Sequence, residues 1–426
     1  MLVPPRQDII DAMFTKLGGV YQEFPRKFWI VVLVSFIDAL GSHLLFPFFS
    51  LYITQKFNIG MAQAGLILGI WAGFGLVASM VGGALTDRFG RRNLILFGLV
   101  FSALSSLSLG LANSLPVLYL LAIVIGFLSN IDGPAYDAMV ADLLPEKQRS
   151  EGFGILRVAD NLAWIIGPAV GGLVAAKSFF MLFVIDSLLS CIIAVIFYKL
   201  VTETRPSIPA EKSHESVWQT AAGYRLALRD LGFMAFLVAS LLMLMVYTQM
   251  YNTLPVYLRD VHGFSTAAYG FMLTSTAVLV VACQFWVTRL SKNKPPFAML
   301  ALGTALYALG FGLFGFISAY PLFILAAFII TFGEMIVEPT RQALAANFAP
   351  PDMRGRYMAV YGLAAAIPTT FGPGLAGLIL DNFNPNLLWY VGGGLCILSA
   401  LGFYALHRRL GSQKRFAARV KEGTPA

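Results

Sequence analysis

Long apolar segments recur along this 426-residue chain and are separated by short polar or charged turns. Each is long enough to cross the hydrocarbon core of a membrane, about 30 Å thick, as a helix. Their hydrophobicity is continuous rather than alternating, which predicts helices and not the strands of a membrane barrel. We therefore predict an all-α membrane protein with twelve transmembrane helices, at residues 29–53, 62–86, 94–112, 116–140, 153–175, 179–200, 231–257, 267–290, 297–316, 321–346, 358–380 and 387–407.

The second half of the chain repeats the first at a fixed offset of 205 residues. Such a repeat indicates a duplicated architecture, here two pseudo-symmetric six-helix bundles at 29–200 and 231–407. We expect a cytoplasmic N-terminal segment at 1–28, a cytoplasmic linker at 201–230 and a basic cytoplasmic tail at 408–426. The positions that recur are Pro134, Pro145, Arg149, Gly167, Pro168 and Gly172, matched by Pro339, Pro350, Arg354, Gly372, Pro373 and Gly377.

Composition supports a membrane protein, because 58% apolar and 12% charged residues leave too little polar surface for a soluble globule. Placing both termini in the cytoplasm puts 25 of the 30 Lys and Arg residues on cytoplasmic segments, as the positive-inside rule requires. The net charge of +8 is spread over short loops, so we expect contact with the anionic inner leaflet and none with nucleic acid. We expect a monomeric, multi-pass protein of a bacterial-type inner membrane.

Neither a cofactor nor a metal is expected. All three cysteines fall within predicted spans, so we expect no disulfides. Residues 9–17 have an amphipathic pattern, typical either of a helix on the membrane surface or of a frayed tail.

Carboxylates within the spans are candidate functional residues, because a charge in hydrocarbon is costly and must face protein or water. Asp38 either lines a cavity and binds a cation or a proton, or it only stabilises helix packing. His43 is more typical of a packing residue. Asp132, Asp137 and Asp142 follow at intervals of five residues, so about 500° of helical rotation spreads them over different faces. Of these three, Asp132 is the expected cavity residue.

The tenth span holds Glu334, Glu338 and Arg341. The two glutamates lie four residues apart on one face, where both cannot be ionised at low cost. Arg341 can hold Glu338 charged, which leaves Glu334 as the acid that exchanges protons. In the fifth span, Arg157 and Asp160 are three residues apart and are expected to form an ion pair.

The segment at residues 82–92 resembles the loop signature between helices two and three of the major facilitator superfamily, and Gly83, Asp87, Arg88, Gly90, Arg91 and Arg92 match it. The resemblance implies the major facilitator fold. It also implies that Asp87 lies near the start of helix eleven and that Arg91 pairs with Asp142, as a latch between the halves on the cytoplasmic side. A basic loop that only holds topology is the alternative. The latch is present in one half only, since Lys292 stands opposite Asp87 at the same offset.

Two further segments resemble transporters that export. Gly167, Pro168, Gly171 and Gly172 are similar to the helix-five signature that the superfamily associates with antiporters. The segment around Glu334 resembles multidrug-proton antiporters of the MdtH and LmrP type, where a helix-ten glutamate is tied to substrate or proton binding. The arginine that the superfamily often has in helix four is replaced by Ala122, so proton coupling would need other groups.

The seventh span is rich in methionine and tyrosine, including Tyr247 and Tyr251, which suits either a pocket for varied apolar ligands or a packed helix interface. The resemblance implies a secondary active transporter that couples efflux of amphipathic or cationic lipophilic compounds to protons by alternating access. Glu334 would exchange protons, while Asp38 and Asp132 would add negative potential. An exporter or symporter of one lipid or metabolite and a non-transporting membrane sensor are the alternatives. An enzyme is not expected.

Overall fold

The computed structural model describes residues 22–129, 131–205, 226–350 and 353–410. In these residues, 12 helices are long and apolar enough to cross a membrane, which confirms the predicted spans. The segment at 9–17, most of the linker and the tail after 410 lie outside the described residues. The spans are α1 Arg26–Phe57, α2 Met61–Phe89, α3 Arg91–Leu111, α4 Leu115–Leu143, α5 Glu146–Ala175, α6 Phe179–Leu200, α7 Leu231–Asn252, α8 Thr266–Ser291, α9 Pro296–Phe314, α10 Tyr320–Phe348, α11 Arg354–Asn382 and α12 Leu387–Leu410.

Two of the spans in the first bundle are interrupted near a proline. In α1, a 3-10 turn at Phe46–Phe48 contains Pro47, and the helix resumes as Phe49–Phe57. In α4, the helix stops at Leu128 and starts again at Gly133, directly before a proline. Proline lacks the backbone N–H that a continuous helix requires and clashes with the preceding turn. These breaks lie where the spans carry their polar residues.

The sequence repeat extends to the details of the structure. The helix Phe49–Phe57 has a counterpart 205 residues later in a short helix, Leu254–His262, that follows α7. The two helices end at Asn58 and Gly263, both with a left-handed φ, of 51° and 68°. The chain therefore folds as two copies of one unit.

Hydrogen bonds repeat at the same offset as well. The Tyr52 hydroxyl donates to the Leu109 carbonyl at 2.6 Å, and the Tyr257 hydroxyl donates to the Phe314 carbonyl at 3.0 Å. In each bundle the bond ties the matching short helix, Phe49–Phe57 or Leu254–His262, to the third span. A tyrosine buried in an apolar bundle needs a hydrogen-bond partner for its hydroxyl. Both copies supply the same partner, a backbone carbonyl of the third span.

The two bundles meet where α2 packs on α11 and where α5 packs on α8. We call the end of the molecule that holds the start of α1 and the end of α12 the terminal face, and the opposite end the distal face. Near the distal face, Gly65 of α2 lies against Pro373 of α11, and Gly270 of α8 lies against Pro168 of α5. A side chain at either glycine would meet the facing backbone, so the absence of a Cβ permits the close approach.

Hydrogen bonds between the bundles also lie at the distal face. The Asp381 carboxylate accepts from the backbone N–H of Met61 at 2.9 Å and of Ala62 at 2.8 Å, which caps the N-terminus of α2. Arg259, on the short helix after α7, donates to the Thr54 hydroxyl at 3.0 Å. The distal face is therefore closed by contacts between the two bundles.

Toward the terminal face the two bundles separate. A methyl group built on Gly154 of α5 or on Gly362 of α11 would meet no atom of the described residues within 4 Å. These helices pack tightly on the other bundle nearer their distal ends. The described hydrogen bonds and ring contacts between the bundles lie in the distal half of the helices. We therefore infer that the cleft opens toward the terminal face, which the distribution of basic residues predicts to be cytoplasmic.

Candidate functional site

Glu334 lies on α10 beside a group of tyrosines. Tyr247, Tyr251 and Tyr307 all lie near its carboxylate. The hydroxyls of Tyr247 and Tyr251 are 3.1 Å apart, and the rings of Tyr247 and Tyr307 stack with their centroids 5.4 Å apart. A carboxylate and several aromatic faces are thus presented together, which is the chemistry that attracts an organic cation.

Glu338, one turn further along α10, is held by a different set of groups. Arg341 donates from Nη2 to both Glu338 carboxylate oxygens, at 3.0 Å and 2.8 Å, and Gln342 donates to Oε1 at 3.0 Å. The predicted contact between Arg341 and Glu338 is therefore present. Glu334, by contrast, forms no ion pair within the part of the chain that the structure describes. The two acids of α10 have unequal surroundings.

A chain of aromatic side chains connects this site to the other bundle. The Trp164 ring lies 5.3 Å from the Tyr251 ring across the cleft and stacks on the His43 ring at 4.1 Å. His43 in turn contacts Asp160, with Nε2 3.0 Å from Oδ1. The predicted ion pair between Arg157 and Asp160 is therefore wrong, because the close packing of α1 on α5 brings the imidazole to the carboxylate instead.

The glycines of the helix-five signature explain that close packing. Gly167 lies against the backbone of His43 on α1, Gly171 lies against the neighbouring turn of α1, and Gly172 contacts α8 of the other bundle. Pro168 lies inside α5. These residues bring α5 against both bundles at the distal end, and their association with antiport stays a prediction.

A second polar region lies inside the first bundle. Asp38 of α1, Asp132 of α4 and Asp186 of α6 line a cavity of about 470 Å³. Glu334 does not line it, so the acids on which the sequence focused are divided between two places. The glycines Gly41 and Gly98 lie directly against the Asp186 and Asp132 carboxylates.

Sequence reasoning missed Asp186. It is a single carboxylate in an otherwise apolar segment, and nothing on its own helix marks it. Two signals were available, however. Any ionisable residue within a span is a candidate, and serines at 102, 105, 106 and 108 make α3 unusually polar for a helix in a membrane.

The loop motif between α2 and α3 is partly described. Arg91 Nε lies 3.0 Å from Asp142 Oδ2, so the predicted pair is present. It joins α3 to α4 within the first bundle. The latch between the halves that is expected of Asp87, Arg91 and Asp142 together stays a prediction, because the side chain of Asp87 lies outside the described residues. Gly83 and Arg88 belong to the last two turns of α2.

A carboxylate that the sequence did not single out caps the N-terminus of α3, next to this motif. Glu203, just after α6, accepts from the backbone N–H of Arg91 at 3.0 Å and of Arg92 at 3.1 Å, at the N-terminus of α3. Gly90 permits this approach, since its φ of 88° and its position against Glu203 both disfavour a side chain.

Comparison with known proteins identifies the family. The family model of the Major Facilitator Superfamily matches residues 31–369 and 299–426. A Na(+), Li(+), K(+)/H(+) antiporter from Planococcus maritimus is 27% identical over 412 residues, covering 90% of this chain and 94% of that one. The multidrug resistance protein MdtH of Shigella dysenteriae is 25% identical over 401 residues, covering 92% and 96%.

Solved structures agree on the fold. A POT family transporter in complex with 5-aminolevulinic acid aligns with a TM-score of 0.75 at 17% identity, covering 91% of this chain and 97% of that one. The nucleoside transporter NupG aligns with a TM-score of 0.77 at 12% identity, covering 89% and 100%. At such identities the likeness shows the fold alone. This chain therefore belongs to the major facilitator superfamily, whose members are transporters rather than enzymes, and it is a multi-pass protein of the bacterial cell membrane.

Proposed function

We propose that this transporter exports cationic amphipathic compounds in exchange for protons. The observation that carries the proposal is the position of Glu334. Its carboxylate lies among tyrosine side chains at the cleft between the bundles and has no ion-pair partner in the described residues.

The surroundings of Glu334 suit a flat, positively charged ligand. Tyr247, Tyr251 and Tyr307 offer aromatic faces on one side, and Trp164 offers another from the opposite bundle. A cation over an aromatic face gains about 0.5–2 kcal/mol, more when it is desolvated. Apolar walls with a single acid are typical of a pocket that selects by charge and hydrophobicity and accepts varied shapes.

The transporter exchanges its cationic substrate for a proton if the two compete for the same carboxylate. Glu338 is held by Arg341 and Gln342, so Glu334 is the acid that is free to change its protonation state. With the distal face closed and the cleft open to the terminal face, the site loads a ligand from the cytoplasm if the termini are cytoplasmic. Protonation on the other side of the membrane then favours release, because the protonated acid attracts a cation less.

Relatives support both parts of this proposal. MdtH is named for multidrug resistance, and the Planococcus protein is named as a cation–proton antiporter. The helix-five signature at Gly167, Pro168, Gly171 and Gly172 points the same way. We further propose that the termini are cytoplasmic, that the working unit is a monomer, and that the basic loops contact anionic lipids.

The proposal is tested by transport of a lipophilic cation into inverted membrane vesicles. Uptake should require a pH gradient, acidic inside, and Glu334→Gln should lower gradient-driven uptake at least about 10-fold while the protein remains folded. Glu146→Gln, the same substitution at an exposed position at the start of α5, is the matched control. Uptake in Glu334→Gln that equals the wild type would refute the role of Glu334, and protons moving with the cation would show symport.

A further inference from the structure

The cavity inside the first bundle is distinct from the Glu334 site. Its carboxylates, Asp38, Asp132 and Asp186, come from α1, α4 and α6, whereas Glu334 belongs to α10 in the other bundle. Among the described residues no lysine or arginine lines it, and His43, which does, is in contact with Asp160. Three acids therefore share a cavity that no described lysine or arginine enters.

Two of the three carboxylates are packed against glycines of neighbouring helices. Gly98 on α3 leaves room for the Asp132 carboxylate and Gly41 on α1 leaves room for that of Asp186, each in direct contact with the glycine. Burying acids in this way is costly unless a proton or a cation neutralises them. The packing of the bundle thus depends on an occupant that carries positive charge.

Serine hydroxyls complete an oxygen-rich wall. Serines at 42, 102, 105, 106 and 129 line the same cavity. Ser105 is 8% exposed and Ser106 is 2% exposed, and within the described residues neither hydroxyl makes a hydrogen bond of good geometry, although Ser106 lies beside Asp186. Both hydroxyls line the cavity and are therefore placed to bond an occupant of it.

The arrangement of these oxygens selects the kind of cation. Carboxylate and hydroxyl oxygens are the ligands of hard cations. Among the described residues no three acidic, histidine or cysteine side chains converge closely enough to hold a bare metal ion directly, so an ion in this cavity keeps part of its water shell. At about 30 Å³ per water, a volume of about 470 Å³ also has room for an ion with several waters.

We propose that the first-bundle cavity binds a hydrated alkali-metal cation, whose charge is balanced by Asp38, Asp132 and Asp186 and whose water shell the hydroxyls of Ser105 and Ser106 contact. The charge balances by exchange, since each bound ion replaces one proton on the carboxylates. The site does not depend on the role proposed for Glu334, because none of its carboxylates or hydroxyls belongs to the Glu334 site, although Trp164 borders both.

The test is equilibrium binding of radioactive sodium to the purified full-length protein in lipid nanodiscs, in alkaline buffer. We expect saturable binding that excess NaCl or LiCl displaces and that N-methylglucamine chloride at the same ionic strength does not. Acidic buffer should abolish the binding because protons occupy the carboxylates. Trp71 and Trp164 line the cavity, so intrinsic fluorescence should change with the same dependence on sodium.

Substitutions separate this site from general charge effects. Asp186→Asn and the milder Ser105→Ala should each weaken sodium binding, the former about 10-fold or more. Asp137→Asn, an exposed aspartate on α4 outside the cavity, is the matched control and should bind as the wild type does. Absence of saturable binding, displacement by N-methylglucamine, displacement by trace Ca²⁺, or equal loss in the control would overturn the proposal.

Discussion

Replacing Asp381 by alanine should open the distal face of the protein. This carboxylate, at the end of α11, accepts from the backbone N–H of Met61 at 2.9 Å and of Ala62 at 2.8 Å. Those amides begin α2, where they have no intrahelical partner and form the positive end of the helix dipole. Because α2 and α11 belong to different bundles, the cap stabilises only the state in which the distal face is closed.

The size of the effect follows from the geometry. An N-cap side chain contributes about 0.5–2 kcal/mol, and its negative charge adds about 0.3–1 kcal/mol at an exposed position. Asp381 is exposed, so we expect Asp381→Ala to cost the closed state about 1.5–2 kcal/mol in all. That shifts the equilibrium about 10- to 30-fold toward the distal-open state. Asp381→Asn keeps an acceptor and loses the charge, so about a threefold shift is expected.

Distances across the distal face measure this shift. Spin labels at Gln63 on α2 and Asn382 on α11, both exposed, would be introduced after the three native cysteines are replaced by serine. Pulsed electron paramagnetic resonance in nanodiscs should give one short distance for the parent protein. Asp381→Ala should add a population at a longer distance.

A matched cap within one bundle supplies the control. Asp230 accepts from the backbone N–H of Phe233 at 3.0 Å and caps α7 in its own bundle. Asp230→Ala should lower thermal stability and leave the distal distances unchanged. An unaltered distance distribution in Asp381→Ala, or the same change in both variants, would contradict the idea that this cap holds the two bundles together.

Two more predictions concern packing inside the first bundle. Gly98→Ala should lower the free energy of unfolding by about 1–3 kcal/mol, because the new methyl group meets the carboxylate of Asp132. Gly154→Ala, where a methyl group meets no described atom, should leave it unchanged, and thermal unfolding of the two variants measures the difference. Arg91 and Asp142 should show a coupling of about 1 kcal/mol in a double-mutant cycle, as suits a partly buried pair at 3.0 Å, and strictly additive effects would show that they act independently.

Sequence patterns predicted the spans and the contacts between residues near one another on a helix. The twelve apolar segments need only the thickness of a membrane, and the pair of Glu338 and Arg341 needs only helical spacing. The pair of Arg91 and Asp142 came from resemblance. By the same spacing rule Arg157 and Asp160 should have met, yet Asp160 contacts His43 on another helix. Spacing defines which partners are possible, and packing between helices selects among them.

Contacts between distant segments were the part that the sequence did not reveal. Asp186 belongs to the first-bundle cavity only because α6 packs beside α1 and α3. Asp381 and Glu203 appear as ordinary loop acids until the N-termini that they cap are known. The repeat could have predicted one such contact. Gly65 and Gly270 correspond at the offset of 205, and both lie where the bundles touch.

The carboxylate that caps α2 has no counterpart across the pseudo-twofold axis. Asp381 corresponds to Ala176 at the offset of 205, and the described hydrogen bonds at the matching junction of α5 with α8 run from hydroxyls to carbonyls, at 3.4 Å from Thr266 to Gly172 and at 3.1 Å from Thr274 to Ile165. The two junctions are therefore fastened differently, one by a charged cap and the other by neutral hydroxyl bonds. Loss of the Asp381 charge should for this reason affect the junction of α2 with α11 and leave that of α5 with α8 in place.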